Sequence, residues 1–265
     1  MILAKAKSTI QSALQSRGFE VRRGGNGKRI VARALGESGA EGDVDRLVYA
    51  KFFRDEKPGV MIEVGAARPD YLSVSALFRE RDWRVLSIEP NPRFVEMHRE
   101  KGHEIYQYAC ADADADDVEF CIVHSRDSGE ISSESFSSLS IKPEYAALDD
   151  NLDIEKIRVA ARRLESILAH HAPEIACVDC LVIDVEGWEL EVLCGFDLER
   201  FAPRALIIEN LFDNQAYRDF MAARGYRLWK TLHPNEVYVR DSDESPKAAH
   251  RLARYYKRAR LKSCR

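Results

Sequence analysis

The chain has 265 residues, of which 45% are hydrophobic and 32% charged, and this composition excludes a wholly disordered or collagen-like protein. Its 44 acidic and 40 basic residues give a net charge of -4, which excludes a surface basic enough throughout to recruit nucleic acid. No apolar run approaches the ~20 residues that span a bilayer, and the opening residues lack a signal-peptide core. Six cysteines, mostly in apolar stretches, favour reduced thiols, so the sequence predicts a cytoplasmic protein.

Short apolar runs alternate with helical stripes along the chain, and this alternation predicts an α/β fold with a mostly parallel sheet. The predicted strands are 60–64, 84–89, 105–109, 118–123, 180–185 and 205–209. The predicted helices are 71–81, 92–101, 162–171, 188–194 and 214–224. Residues 226–231 and 236–240 flank a His-Pro-Asn turn, which predicts a C-terminal antiparallel hairpin.

Both ends of the chain fall outside this pattern, which predicts three segments. Residues 1–45 combine an amphipathic helical pattern with a Gly-rich stretch and are predicted to form a helical appendage, packed on the domain or used to form a homo-oligomer. Residues 46–244 are the main domain. Residues 245–265 hold eight Lys and Arg residues and no acid, so this basic helix or tail either contacts an anionic membrane or glycolipid at its surface or pairs with its own domain.

Acidic residues end the first two predicted strands. Glu63 and then Gly65 close the first strand, where a glycine lets a ligand approach the backbone and an acid can accept hydrogen bonds from the amine of a cationic ligand or from loop amides. Glu89 closes the second strand, at the position where an acid can bind both hydroxyls of a ribose. Asp112 follows a third strand and is placed either to meet an adenine amino group or to lie in a solvated turn. Together these residues predict a nucleoside site.

The loop after the first strand separates two classes of enzyme. A dinucleotide site needs the glycines of G-x-G-x-x-G to seat a pyrophosphate, but the loop from Gly65 reads GAARPD. A nicotinamide-dependent oxidoreductase is therefore disfavoured. S-adenosylmethionine has a nucleoside without phosphates, and its sulfonium cation suits an acid-lined pocket. The loop and the acids together favour methyl transfer.

A further group of polar residues follows two later strands. Asp184 ends one predicted strand, and Glu209 and Asn210 end the next. Because neighbouring strands lie ~4.8 Å apart, these side chains can converge. Two carboxylates and an amide oxygen are ligands suited to Mg²⁺, which would orient an acceptor hydroxyl and lower its pKa. The alternative is that Asp184 and Glu209 orient loops or bind substrate hydroxyls without a metal.

The chain resembles the FkbM family of S-adenosylmethionine-dependent methyltransferases, most clearly over LVIDVEGWELEVLCGFD at residues 181–197. IEVGA, the Ser-Ser-Leu segment at 137–139 and ALIIEN support the resemblance, which covers roughly residues 55–240. It implies a Rossmann-like class I methyltransferase fold, with a mostly parallel seven-stranded sheet and helices on both faces. It also implies O-methylation, commonly of sugar hydroxyls. Pro69 departs from the family pattern, which usually has a second glycine before Asp70 and Tyr71.

These arguments predict an S-adenosylmethionine-dependent O-methyltransferase that acts on a sugar, a glycan or a glycosylated metabolite. The alternatives are a nicotinamide-dependent oxidoreductase and a non-catalytic protein that binds a glycan or a membrane surface. Asp184 is predicted to arrange the acceptor, and Glu186 or His233 to take its proton. Glu186 could instead cap the helix that follows it. The predicted cofactor-binding residues are Glu63, Gly65, Ala66, Asp70, Tyr71, Glu89 and Asp112.

Overall fold

A computed structural model describes residues 19–23, 29–33, 39–124, 137–147 and 153–243. The strands are β1 (Phe19–Arg23), β2 (Arg29–Arg33), β3 (Val60–Val64), β4 (Arg84–Ile88), β5 (Glu104–Tyr106), β6 (Ala109–Cys110), β7 (Ala115–His124), β8 (Asp153–Arg162), β9 (Cys180–Ile183), β10 (Ala205–Glu209), β11 (Tyr226–Leu232) and β12 (Asn235–Arg240). The helices are α1 (Val44–Val48), α2 (Ala76–Arg79), α3 (Pro92–Glu100), α4 (Pro143–Ala146), α5 (Leu164–His171), α6 (Glu189–Cys194), α7 (Leu198–Phe201) and α8 (Gln215–Ala222). A 3₁₀ turn (Glu41–Asp43) precedes α1, and a π-helical turn (Tyr49–Phe53) follows it.

Seven strands form the central sheet in the order β11-β12-β10-β9-β3-β4-β5. The five neighbouring strands β10, β9, β3, β4 and β5 are parallel to one another. β12 pairs antiparallel with β10, and β11 pairs antiparallel with β12. Val64 is in register with Ile88 and Ile183, and Ile183 with Ile208, so four strands end at one level. We call this side of the sheet, where β3, β4, β9 and β10 end, the carboxyl edge. The predicted α/β class, the mostly parallel seven-stranded sheet and the C-terminal hairpin are confirmed.

Side chains alternate between the two faces of the sheet, and helices cover both faces. Ile62 and Val64 of β3 lie in one apolar cluster with residues of α5, α6 and α8, whereas Met61 lies in a second cluster with residues of α1 and α2. Strands buried on both faces are expected to be apolar at almost every position, as β9 (CLVI) and β10 (ALIIE) are. The core therefore fixes the strands whose ends form the carboxyl edge.

A second sheet of three strands has the order β6-β8-β7 and its own small apolar cluster. The strand predicted at 118–123 lies within β7, which pairs antiparallel with β8. β8 is absent from the sequence-based prediction, although Ile157, Val159 and Ala161 alternate with charged or small residues in the period of a strand. The strand predicted at 105–109 is divided between β5 in the central sheet and β6 in the second.

The helix predicted at 71–81 is reduced to the single turn of α2. Leu72 has a left-handed backbone with φ 51°, which ends any helical path at that residue. Ser75 directs its amide and its hydroxyl to the buried carboxyl group of Glu63. The polar groups of this loop thus bind the end of β3 instead of continuing a helix.

The chain divides into two compact units, Met1–Ser38 and Gly39–Arg265. In the first unit, β1 and β2 form an antiparallel hairpin on either side of the Gly-rich stretch. The helical pattern at 2–14 and the basic segment at 245–265 lie outside the described residues, and the three predicted segments stay a prediction. The described cysteines are free thiols. No helix in the described ranges is long and apolar enough to cross a membrane.

Candidate active site

A cavity of about 620 Å³ opens at the carboxyl edge of the central sheet. Its walls come from the loops after β3, β4 and β9, from the second sheet and from the segment that precedes α4. Open parallel sheets bind ligands at this edge. The cavity volume includes space that is open to solvent. The lining residues used below are Gly65, Ala67, Glu89, Asp184, Glu186 and Trp188.

Glu89 lies at the floor of this cavity, directly after β4. One carboxyl oxygen accepts the amide of Asn91 at 2.8 Å, and the other accepts the amide of Ala67 at 2.9 Å. Burial raises the pKa of Glu89 to about 7, while these two amides act in the opposite direction. Each oxygen keeps a lone pair, so the group can still accept a hydroxyl of a ligand.

Gly65 is required by the contact between two strand ends. Its φ of 81° is left-handed, and a Cβ built on it would lie 1.7 Å from the carbonyl oxygen of Asp184. No residue with a side chain fits there without moving the backbone. Gly65 therefore seats the loop after β3 against the end of β9, which joins the Glu89 side of the cavity to the Asp184 side.

Glu63 is turned into the protein, away from the cavity lining. Its carboxyl group accepts the Ser75 amide at 3.2 Å, the Ser75 hydroxyl at 2.6 Å and the Ser87 hydroxyl at 2.9 Å. The guanidinium of Arg79 lies 3.8 Å away. Through these bonds Glu63 fixes the loop that borders the cavity, so its geometry supports a positioning role more than direct contact with a ligand.

Four other predicted cofactor residues lie away from the lining described for this cavity. Ala66 is buried beside Gly65. Asp70 and Tyr71 are exposed further along the same loop, and Asp70 pairs with Arg68 at 3.4 Å. Asp112 is exposed in the turn after β6. Their binding roles stay predictions.

A cluster of three carboxyl groups stands at the other side of the cavity. One oxygen from each of Asp184, Glu186 and Glu209 lies within 4.8 Å of the others. Burial and the neighbouring Glu189 carboxyl raise the pKa of Asp184 to about 7. Burial and Asp184 raise the pKa values of Glu186 and Glu209 well above their usual range. The three groups cannot all ionise at neutral pH without a cation between them.

Glu186 is presented to the cavity by a strained turn. Glu186 and Gly187 have consecutive left-handed backbones, with φ 57° and 95°. One oxygen of Glu189 accepts the amides of Val185 and Gly187, both at 3.0 Å, and the other accepts the Tyr217 hydroxyl at 2.5 Å. These bonds fix the turn before helix α6, whose N-cap residue, Trp188, makes no side-chain capping hydrogen bond. Among the described residues, nothing hydrogen bonds to Oε2 of Glu186, which is buried.

Asn210 and His233 are the remaining predicted site residues. Asn210 is engaged by its neighbours, and the catalytic role of His233 stays a prediction. The Asn210 amide group donates to the Asn214 carbonyl and to Glu236, and its oxygen accepts the Asn214 amide at 2.8 Å. His233 is exposed in the turn between β11 and β12. The sequence predicts Asp184, Glu209 and Asn210 as metal ligands, whereas the structure groups Asp184 and Glu209 with Glu186. The metal itself stays a prediction.

Residues 137–147 bring Lys142 and Tyr145 to the site, and neither residue is among the sequence-predicted site residues. The Tyr145 hydroxyl donates to Glu209 at 3.2 Å, and its ring fills the space where a side chain at Gly187 would lie. Lys142 donates to the Gly187 carbonyl and lies 5.0 Å from the Trp188 ring centroid. Tyr145 follows the Ser-rich residues 125–143, and no motif in the sequence marks it as a neighbour of Glu209.

The parallel sheet, its antiparallel C-terminal hairpin and an acid-lined cavity at the carboxyl edge define a Rossmann-like methyltransferase. The family comparison is more particular: the model of the methyltransferase FkbM domain matches residues 63–228. This match spans more than half of the chain, so the chain belongs to the FkbM methyltransferase family. No curated protein matches the sequence. Of the enzyme classes left open by the sequence, methyl transfer is thus favoured over hydride transfer.

Proposed function

We propose that the protein is an S-adenosylmethionine-dependent O-methyltransferase that acts on a sugar hydroxyl. The observation that carries this proposal is the arrangement of the cavity, which has Glu89 on one side and the carboxyl cluster on the other. Glu89 would bind the ribose hydroxyls, while Ala67 and the apolar wall of Phe94 and Tyr108 border the nucleoside. When bound, the cofactor supplies a methyl group on a sulfonium centre. An acid-lined pocket favours that positive charge.

The acceptor hydroxyl would lie against the carboxyl cluster. Because crowding raises the pKa values of Asp184, Glu186 and Glu209, whichever group stays ionised is a stronger base than an isolated carboxylate. Glu186 is the best placed of the three to take the proton, since its Oε2 atom has no hydrogen-bond donor among the described residues. Trp188 lines the same cavity and offers a ring on which a sugar can stack.

A divalent cation such as Mg²⁺ fits this cluster. Three carboxyl groups with oxygens within 4.8 Å of one another form a set of hard oxygen ligands. Oε2 of Glu186 has no hydrogen-bond partner among the described residues, so it is free to bind the cation. Asp184, Glu186 and Glu209 would hold the cation, which would orient the acceptor oxygen and lower its pKa. Asn210 is already bonded to its neighbours and is a weaker candidate than in the sequence prediction.

Methyl transfer is tested with labelled S-adenosylmethionine and a panel of neutral glycosides, with wild type and Glu186→Gln. We expect labelled product from wild type and a fall in kcat of about 10²- to 10⁴-fold in Glu186→Gln, the contribution of a general base. Glu199→Gln is the matched control, since it removes the same charge from exposed helix α7. Equal rates for Glu186→Gln and wild type would refute the assigned base.

The cation is tested separately by titrating Mn²⁺ into wild type and Glu186→Gln without any substrate. We expect one site in wild type, affinity lowered at least tenfold in Glu186→Gln, and no change in Glu199→Gln. Equal affinity in all three proteins, or no binding to wild type, would remove the cation from the proposal. Contact of the basic segment 245–265 with an anionic surface, a homo-oligomer and a cytoplasmic location stay predictions.

A further inference from the structure

Ala67 has both of its backbone polar groups held at the edge of the cavity. Its amide donates to Glu89 at 2.9 Å, and its carbonyl lies 3.2 Å from Nε2 of His98. Its φ is 41°, a left-handed conformation that costs a non-glycine residue roughly 1–2 kcal/mol. Such a backbone persists only where its surroundings hold it. The two hydrogen bonds of Ala67 supply that support.

The hydrogen-bond chemistry fixes the proton positions on His98 and its neighbour. A carbonyl oxygen can only accept, so Nε2 of His98 carries the hydrogen that reaches Ala67. The neutral ring then has a lone pair on Nδ1, which lies 3.0 Å from Nδ1 of His103. His103 must therefore donate through Nδ1. Burial lowers the pKa values of both rings to about 4, which agrees with this neutral arrangement.

These three hydrogen bonds form one chain in which each residue donates to the next. His103 precedes β5 and donates to His98 of α3, which donates to Ala67 in the loop after β3, which donates to Glu89 after β4. His98 is fully buried and does not line the cavity, so it acts on a ligand only through the backbone of the loop after β3, where Ala66 is a second hydrogen-bond partner beside Ala67. The Ala67 amide is one of the two donors that orient the Glu89 carboxyl group.

We propose that His98 is a positioning residue for the cofactor: by holding the Ala67 carbonyl, it fixes the Ala67 amide on Glu89 and so sets the orientation of the carboxyl group that meets the ribose. The proposal rests on the proposed function in one respect, namely that the cavity binds the nucleoside of S-adenosylmethionine. His103 supports the same arrangement by fixing the tautomer of His98.

The test compares two substitutions of His98 that differ in hydrogen bonding. His98→Gln keeps an N–H donor at about the reach of Nε2, whereas His98→Leu has a similar size and no donor. Calorimetric titration with S-adenosylhomocysteine should show affinity about tenfold weaker in His98→Leu and within threefold of wild type in His98→Gln. Equal affinity in all three proteins would overturn the proposal. Equal losses in both variants would show a packing role only and would also overturn it.

A second readout needs no ligand and separates this inference from the proposed function. Amide hydrogen exchange at Ala67 in the free protein should be at least tenfold faster in His98→Leu than in wild type, and close to wild type in His98→Gln. If wild type does not bind S-adenosylhomocysteine but the exchange pattern holds, the proposed function and the role toward the cofactor fail, and only the support of the Ala67 backbone by His98 stands. Unchanged exchange in His98→Leu would refute that role.

If His98→Leu does not fold, His103→Leu provides the comparison, since it removes the donor to His98 and leaves the side chain that touches Ala67. His103 is half-buried, so the substitution is less disruptive than one at His98. We expect faster Ala67 exchange and affinity for S-adenosylhomocysteine several-fold weaker than in wild type. Wild-type values for both would contradict the directed chain of hydrogen bonds.

Discussion

Both halves of the carboxyl edge carry buried glutamates, but these differ in whether their carboxyl oxygens accept hydrogen bonds from the protein. Glu63, near the end of β3, accepts three hydrogen bonds, and Glu89, directly after β4, accepts two. After β9, Glu186 has a buried oxygen without a donor among the described residues. The loops thus hold the acids of the first half by hydrogen bonds, and Glu89 keeps lone pairs for a ligand, whereas the unpartnered oxygen of Glu186 is available for a proton or a cation.

The largest effect is expected where the two halves meet, at Gly65. Gly65→Ala places a Cβ 1.7 Å from the Asp184 carbonyl oxygen in a left-handed backbone, so we expect a loss of more than about 4 kcal/mol in the free energy of unfolding and little folded protein. Gly102→Ala is the control, because Gly102 has φ 70° with no atom within 4 Å of the added carbon. Urea unfolding should show a loss of only about 1 kcal/mol there. Equal losses would show that backbone strain, and not the contact with Asp184, governs Gly65.

The second-largest effect is expected at Glu63, whose carboxyl group accepts hydrogen bonds from Ser75 and Ser87. Glu63→Gln puts an amide N–H₂ among groups that already donate to this side chain, so we expect a loss of about 3 kcal/mol in the free energy of unfolding. Urea denaturation measures it. A loss below about 1 kcal/mol would mean that the loop after β3 does not depend on this buried carboxyl group.

A smaller effect is expected in the pH dependence of stability. The pKa of Asp184 is raised from 3.8 to about 7 on folding, so the folded state binds more protons between these values and loses stability as the pH rises from about 4 to 7. His98 acts in the opposite direction, since its pKa falls to about 4. Asp184→Asn should therefore show a smaller fall in Tm between pH 5 and pH 8 than wild type. An identical fall in both proteins would show that Asp184 is not responsible.

The smallest effect is expected at Glu186. Glu186→Gln replaces one carboxyl group of a crowded cluster and breaks no hydrogen bond described in the structure, so the free energy of unfolding should change by less than about 0.5 kcal/mol or increase. The same urea experiment as for Glu63→Gln provides the comparison. A loss as large as that of Glu63→Gln would erase the distinction between the two halves of the edge.

The sequence predicts the central sheet well because its strands are buried on both faces. The apolar runs at 60–64, 180–185 and 205–209 contain β3, β9 and β10, and the His-Pro-Asn turn joins the predicted hairpin. β8 is missed because its alternating apolar and charged residues come after the Ser-rich residues 125–143, where the sequence predicts neither a strand nor a helix. The helix predicted at 71–81 is longer than α2 because Ser75, which is compatible with a helix, binds the buried Glu63 instead.

The site is predicted less completely, because a strand-end position does not determine where a side chain turns. Glu89 and Asp184 line the cavity as their strand positions predict. Glu63 lies two residues earlier, in register with Ser87, and faces inward, since Ser75 and Ser87 supply donors there. Tyr145 and Glu189 come from outside the recognised strand ends, and only the fold brings them to the cluster.

The most direct test of the central claim is calorimetric titration of S-adenosylhomocysteine into wild type, Glu89→Ala and Glu186→Gln. The account predicts micromolar binding to wild type, loss of at least tenfold in affinity for Glu89→Ala, and binding by Glu186→Gln within about threefold of wild type, because the cofactor belongs to one half of the edge and the acceptor to the other. No binding to wild type, or equal binding by wild type and Glu89→Ala, would contradict it.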